Sequence, residues 1–212
     1  MPAKDRSSPI KPKAAPDTTS STQGASPQER IVTAAREMFC RDGIHATGVD
    51  RILSAAGASK MTLYARFGSK EALVRTALRE EGQVWRADFA ARVSAIADTP
   101  EGRLRAIIPA LGEWFHGGRF YGCAFINAVA EHTKGEPWLQ ELAAEHHAAC
   151  RAFLGDLARD AGFAAPEDLA SQLLILIDGT TAGLMCSGDE AVLRNAARTL
   201  DALLAAGERA AA

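Results

Sequence analysis

Apolar residues recur at three- and four-residue intervals almost from end to end of this chain, and convincing strand alternation is absent. Ile31, Ala34, Ala35, Met38 and Phe39 form the first stripe. Ser26-Pro27-Gln28-Glu29 supplies its N-cap, a proline for the first helical position and the glutamate of a capping box, and Gly43 supplies its stop. A second capping signal, Thr47-Gly48-Val49-Asp50, precedes inward-pointing Ile52, Leu53 and Ala56, and Gly57 ends that helix. Ser59 caps a short third helix from Lys60 to about Phe67, with Leu63 and Phe67 one turn apart on its inner face, and Ser69 caps a fourth.

The fourth helix is long, because Leu73, Ala77, Leu78, Val84, Trp85, Phe89, Val93 and Ile96 keep one stripe until Pro100. It reads as a strut between two modules. A fifth helix runs from about Glu101 to Phe115 with a kink predicted at Pro109, and Gly117-Gly118 breaks the chain before a sixth from about Cys123 to His132. Pro137 opens a seventh that carries Leu139, Leu142, His146, Cys150, Phe153 and Leu157 toward Gly162. Pro166-Glu167-Asp168 opens an eighth, apolar on nearly all sides from Leu173 to Ile177, and Asp189 begins a ninth with Leu193, Ala196, Leu200 and Leu204. The pattern predicts an all-α fold, with an N-terminal three-helix module of helix-turn-helix type and a larger C-terminal helical body.

The predicted divisions are a disordered basic arm over 1–25, a helix-turn-helix domain over 26–72, a helical domain over 73–206, to which the resemblance described below adds effector binding and dimerisation, and a C-terminal tail over 207–212. The arm is rich in Pro, Ser, Thr and Lys and has no hydrophobic period. An all-round apolar eighth helix needs partners on more than one face, and Gly179, Ala182 and Gly183 permit close approach. Helices eight and nine are therefore candidates for a homodimer interface, the alternative being a core helix within one monomer.

Charge sharpens the division. The net charge is only -2, but residues 1–70 carry 11 Lys and Arg against 6 Asp and Glu, whereas the remainder carries 13 against 20. The basic end contains the helix-turn-helix candidate. No apolar run looks long enough for a membrane span and no secretory h-region opens the chain, so a cytoplasmic protein with no membrane partner is expected. Cys40, Cys123, Cys150 and Cys186 are scattered without a C-x-x-C pair, which predicts reduced thiols rather than a zinc site or disulfides. Adjacent His146 and His147 diverge around a helix and do not form a metal box, so no metal and no cofactor is expected.

In a helix-turn-helix the second helix enters the major groove and the first lies across the backbone. On the outer surface of helix three, Lys60 and Thr62 are placed to hydrogen-bond base edges and Met61 to touch a thymine methyl, while Tyr64 and Arg66 reach phosphate or base. Backbone amides near Thr47 and Ser69 favour phosphate oxygens, and Lys70 adds charge at that edge.

The segment Arg30–Leu73 resembles the N-terminal domain of the TetR family of bacterial transcriptional regulators. The resemblance rests on Ile31-x-x-Ala34-Ala35-x-x-x-Phe39, Gly43, Thr47-x-Val49-x-x-Ile52, Ala56-Gly57-x-Ser59-Lys60-x-Thr62-Leu63-Tyr64-x-x-Phe67 and Ser69-Lys70-Glu71-x-Leu73. It implies a dimer on double-stranded, pseudo-palindromic operator DNA, usually a repressor, with a small-molecule effector in the C-terminal domain altering the separation of the two heads. It also implies backbone contacts from Thr47, Ser59, Tyr64 and Lys70. Met61 departs from the family pattern, in which a small residue is common. Farther on, Gly122-Cys123-x-x-x-Asn127-x-x-x-Glu131 resembles the signature of one TetR subgroup. Asn127 and Glu131 then read either as polar anchors in a pocket or as a hydrogen-bonded helix junction.

Helices four to eight are the expected pocket, with Trp85, Phe89, Trp114, Phe115, Phe125, Asn127, Trp138, His146 and Phe153 as candidate effector contacts. No charge cluster in the sequence marks the ligand. A helical enzyme or small-molecule carrier is one alternative, and the absence of H-E-x-x-H, G-x-S-x-G, a P-loop and a compelling carboxylate pair speaks against the enzyme. A regulator answering to a protein partner or to oxidation of Cys123 is the other alternative.

Overall fold

The computed structural model describes residues 25–132 and 137–210. The predicted basic arm, apart from Ala25, lies outside the described residues, as do the last two residues of the predicted tail. Among the described residues the secondary structure is nine helices and one isolated bridge between Phe163 and Arg209. They are α1 (Pro27–Asp42), α2 (Val49–Ala56), α3 (Lys60–Phe67), α4 (Lys70–Ile96), α5 (Pro100–His116), α6 (Ala124–Glu131), α7 (Pro137–Asp160), α8 (Pro166–Ser187) and α9 (Ala191–Ala206). The protein is all-α.

Local chemistry explains most boundaries. Ser26 accepts from the Glu29 amide while the Glu29 carboxylate accepts from the Ser26 amide, a complete capping box. Ser59 and Ser69 accept from the amides of Thr62 and Ala72, and Gly57 turns out of α2 in the left-handed region at φ 59°. Thr47 behaves differently from its predicted capping role. Its hydroxyl donates to the Gly43 carbonyl at 2.6 Å, leaving Gly48 as the N-cap of α2 with no side-chain hydrogen bond. Helix α5 continues through Pro109, which is exposed, and α9 starts two residues later than the predicted Asp189.

Two apolar cores follow. One binds α1, α2, α3 and the start of α4 through Ile31, Phe39, Ile52, Leu63 and Leu73, and it extends to Phe125 and Ala128 of α6 and to Leu139 and Leu142 of α7. The other joins α4, α5, α7, α8 and α9 around Val93, Leu104, Leu111, Leu154, Leu173 and Leu200. Helix α4 contributes to both, as the strut reading requires, although Val84 and Ile96 of its predicted stripe are exposed. Residues 208–210 are zipped onto the α7–α8 turn by Ala164 N–H to Glu208 and Ala210 N–H to Gly162, with the Arg209 guanidinium 3.9 Å over the Phe163 ring.

Contrary to the sequence expectation, α8 is long and apolar enough to cross a membrane by length and composition. Small and hydroxylated residues after Asp178 extend its low polarity without forming an obvious apolar run. In the fold α8 packs on α7, α9 and α5, with Leu169, Leu173, Ile177 and Leu184 buried. Its outer stripe keeps Ile175 73% exposed, flanked by exposed Gln172, Gly179 and Ala182.

Candidate nucleic-acid interface and ligand cleft

At the N-terminal end, fully buried Leu63 anchors α3 and turns its other faces outward: Met61 is 81% and Tyr64 53% exposed, with Lys60 and Arg66 also in solvent. An exposed methionine on a capped, well-anchored helix has no packing role, so the surface is available to another molecule. The Lys60 ammonium lies 2.9 Å from the Asp50 carboxylate of α2, and that hydrogen bond raises the lysine's pKa. Thr62 is half-buried, its hydroxyl 2.9 Å from that of Ser59. Thr47 is completely buried and its hydroxyl already engaged, so its side chain braces the loop instead of facing outward.

Lys70 also bends inward. Its ammonium donates to the Ile44 carbonyl at 2.8 Å, and burial lowers its pKa, opposed by the nearby Glu131 charge. Glu131, at the last turn of α6, accepts from the amides of Ile44 at 2.8 Å and His45 at 3.1 Å. The loop between α1 and α2 is thus clamped from two sides, by a lysine of α4 and a carboxylate of α6. Gly43 begins that loop at φ 86°, and a Cβ added there would run into the Glu131 carboxylate. Of the two readings of Glu131, the geometry gives the helix junction.

A cleft of about 840 Å³, counting its open mouth, lies among α1, α4, α5, α6, α7 and α8. Trp85, Phe89, Trp114, Phe125, His146 and Phe153 all line it. Three other candidates lie outside. Phe115 packs edge-on against Phe120 at 5.2 Å, Trp138 lies under the Arg75 guanidinium at 4.3 Å, and the Asn127 amide donates to the Tyr121 carbonyl at 2.9 Å. Each of these side chains serves a neighbouring turn or helix.

The lining also holds polar residues that the sequence did not place in the pocket: Arg86, His147, Asp178, Glu81, Arg119 and the thiols of Cys40, Cys123 and Cys150. Arg86 sits 2.9 Å from Nδ1 of His146, and His146 stacks on Phe125 at 4.0 Å. A guanidinium only donates, so Nδ1 accepts and the imidazole proton sits on Nε2, 3.6 Å from the Cys150 sulfur. Burial, then the Arg86 and His147 charges, pull His146 down to about 4. Gly82 makes this convergence possible. A Cβ there would lie 2.9 Å from His146 Nδ1, 2.9 Å from Phe125 Cζ and 3.0 Å from Arg86 Nη1. An interior helical glycine costs about 1 kcal/mol relative to alanine, so Gly82 was the available sequence signal for the site.

His147 Nε2 lies 3.5 Å from the Asp178 carboxylate but is buried without a hydrogen bond, and burial raises the Asp178 pKa. At the mouth, Arg36 of α1 pairs with Glu80 and Glu81 of α4, and Arg119 of the α5–α6 loop pairs with Glu37 of α1 at 3.2 Å. Burial pushes the Cys40 and Cys150 thiols to about 12 and raises that of Cys123. All three are protonated thiols at neutral pH. Among the described residues no His, Cys, Asp and Glu group is arranged to hold a metal ion.

A capped helix-turn-helix joined by a shared helix to a second helical body is an architecture this chain shares with solved bacterial transcriptional regulators. Residues 31–77 match the family model described as bacterial regulatory proteins, tetR family. The HTH-type transcriptional regulator LmrA of Bacillus subtilis (strain 168) is 36% identical over 76 residues, a match covering 35% of this chain and 40% of that protein. The chain therefore aligns with less than half the length of this curated relative. A solved TetR-family transcriptional regulator from Streptomyces coelicolor is 26% identical, covering 84% of this chain and 94% of the other, with a TM-score of 0.74. A second structure, from Streptomyces avermitilis and assigned to TetR-type regulators, is 28% identical over 87% of this chain and 100% of the other, also at 0.74. Residues 31–77 are thus similar to the tetR family of bacterial regulatory proteins, and the fold as a whole is similar to that of solved TetR-family regulators.

Proposed function

We propose that this protein is a homodimeric repressor that binds a pseudo-palindromic operator through two copies of α3 and is released when a small molecule occupies the cleft. The observation that carries the DNA reading is the solvent-facing surface of α3, Lys60, Met61, Tyr64 and Arg66, on a helix fixed by buried Leu63. Residues 26–72 act as the reading head and 73–206 as the effector-binding and dimerising body, in the cytoplasm. Ser59, Thr62, Lys70 and the first-turn amides of α2 and α4 serve the phosphate backbone, and Thr47 holds the loop beneath them.

The exposed stripe of α8 supports dimerisation through α8 and α9. Ile175 supplies apolar area, and Gly179 and Ala182 admit a partner helix closely. The coupling route runs along α6, whose first turn lines the cleft and whose last turn holds the α1–α2 loop through Glu131. An effector acts only through a difference in affinity between the two head spacings. The raised thiol pKa values favour a small ligand over direct thiol oxidation.

A gel shift with the DNA upstream of the protein's own gene, run as a salt series, tests the DNA reading. Specific retardation that weakens steeply with salt is expected, with a log–log slope of roughly −0.9 per phosphate contact. Failure to retard any inverted repeat, or binding indifferent to salt, rejects it. Operator release in a ligand screen tests the effector reading separately.

A further inference from the structure

We propose that the cleft is selective for an aromatic carboxylate, with the carboxylate on Arg86 and the ring system against Trp85, Phe89, Trp114 and Phe153. This inference rests on the ligand-responsive reading above and adds the chemical class of the ligand. Its starting point is a cation inside the cleft that lacks the carboxylate partner its neighbours have. Glu81 pairs with Arg36 at 3.0 Å, Arg119 with Glu37 at 3.2 Å, and Asp178 lies 3.5 Å from His147. Arg86 lines the same cleft, has no carboxylate partner among the described residues, and meets only the neutral His146 ring.

A guanidinium carries five N–H donors, and one imidazole nitrogen takes a single one. The remaining donors and the full positive charge face a cleft whose wall includes Trp85, Phe89, Trp114 and Phe153. The local construction holds Arg86 there: Gly82, one turn earlier, leaves the space in which Arg86, His146 and Phe125 meet, and stacked Phe125 fixes the imidazole that accepts from Arg86. A planar carboxylate matches the guanidinium fork and carries the one negative charge that a single cation neutralises. A phosphate dianion would bring a second charge into the aromatic wall with no partner for it.

The body of the ligand follows from the rings. Trp85 stacks with Phe89 at 5.0 Å and 7°, Trp114 meets Trp85 edge-on at 5.5 Å, and Phe153 meets Phe89 edge-on at 6.3 Å. These flat surfaces favour an aromatic group over a flexible polar chain.

The full-length protein is titrated with three probes of one shape, 2-naphthoate, 2-naphthamide and 2-naphthylmethylammonium, by tryptophan fluorescence and calorimetry. Naphthoate is expected to bind at least tenfold more tightly than naphthamide and more tightly still than the ammonium. Arg86→Gln should abolish that preference, and Arg86→Lys should restore part of it. If Arg86→Gln does not fold, the order of the three probes on the unmodified protein still decides. Equal affinity for the anion and the neutral amide overturns the carboxylate, as does a preference that survives Arg86→Gln. Operator release by neutral compounds, with naphthoate unbound, overturns the carboxylate while the effector reading stands. A screen in which no compound releases the operator overturns both.

Discussion

The reading head and the cleft are built by opposite rules. In the head, polar contacts are mostly short-range: Ser26 with Glu29, Ser59 with Thr62, Ser69 with Ala72. Its proposed base-reading surface is one side of a single eight-residue helix. The cleft draws its lining from six helices, and its polar centre joins Gly82 and Arg86 to His146, 60 positions beyond Arg86. A surface made by one helix tolerates a change in any one contact. A centre made by convergence fails when one backbone approach is blocked.

That contrast orders the expected effects. Leu63→Ala removes a fully buried anchor of α3 and should lower stability by about 2–5 kcal/mol. Chemical denaturation should record the loss and gel shift the disappearance of operator binding, while probe binding to the cleft persists in the fraction still folded. If the cleft is lost in parallel, the two regions are one cooperative unit and the contrast between them breaks. Gly82→Val places a side chain among Arg86, His146 and Phe125 and should cost about 1–3 kcal/mol by overpacking. Naphthoate binding should vanish with operator binding retained. Retained affinity for the probe would show that the convergence at Gly82 is dispensable.

Glu131→Gln keeps one acceptor for the Ile44 and His45 amides but removes the charge, at a cost of about 1–2 kcal/mol. On the proposed coupling it should leave ligand affinity within twofold and weaken ligand-driven operator release, measured by titrating the protein–DNA complex. Unaltered release would remove α6 from the route. Tyr64→Ala touches only the exposed surface, so stability should change by no more than about 0.5 kcal/mol. Operator affinity should fall about tenfold, the loss of one good contact.

A further expected effect is a pH dependence. His146 is held near 4 in the fold against about 6.5 when unfolded, so the fold favours its neutral form. Its contribution is therefore fully present above pH 6.5 and is lost as the pH falls toward 4. Melting temperatures across that range should decline in the parent protein and decline less in His146→Gln; parallel curves would assign the acid sensitivity elsewhere.

The same contrast governs what the sequence disclosed. All-α architecture and the helix order were legible because the apolar spacing is regular and the caps lie three residues from their partners. Thr47 misled for a physical reason: a threonine beside a helix start can cap forward or hydrogen-bond backward, and its hydroxyl turned to Gly43. Trp85, Phe89 and Trp114 were recognisable as aromatic candidates on adjoining helices. Nothing in their spacing distinguished them from Phe115 or Trp138, which spend their rings on a loop and a cation. Arg86 was invisible as a site residue because an arginine on a long helix reads as solvated until His146 is brought beside it.

Gly43 and Glu131 also bear on how such regulators can be recombined. The loop at the base of the head has backbone amides of Ile44 and His45 held by a carboxylate 87 and 86 positions away, and Gly43 lacks the Cβ that would collide with it. A graft that exchanges the head at a boundary in α4 would separate this lock from its key. The donor loop would arrive without its carboxylate, or the recipient's carboxylate would meet a side chain where it needs a glycine. Interchangeable heads for this protein therefore come as a head together with the last turn of α6, two pieces of chain inherited as one part.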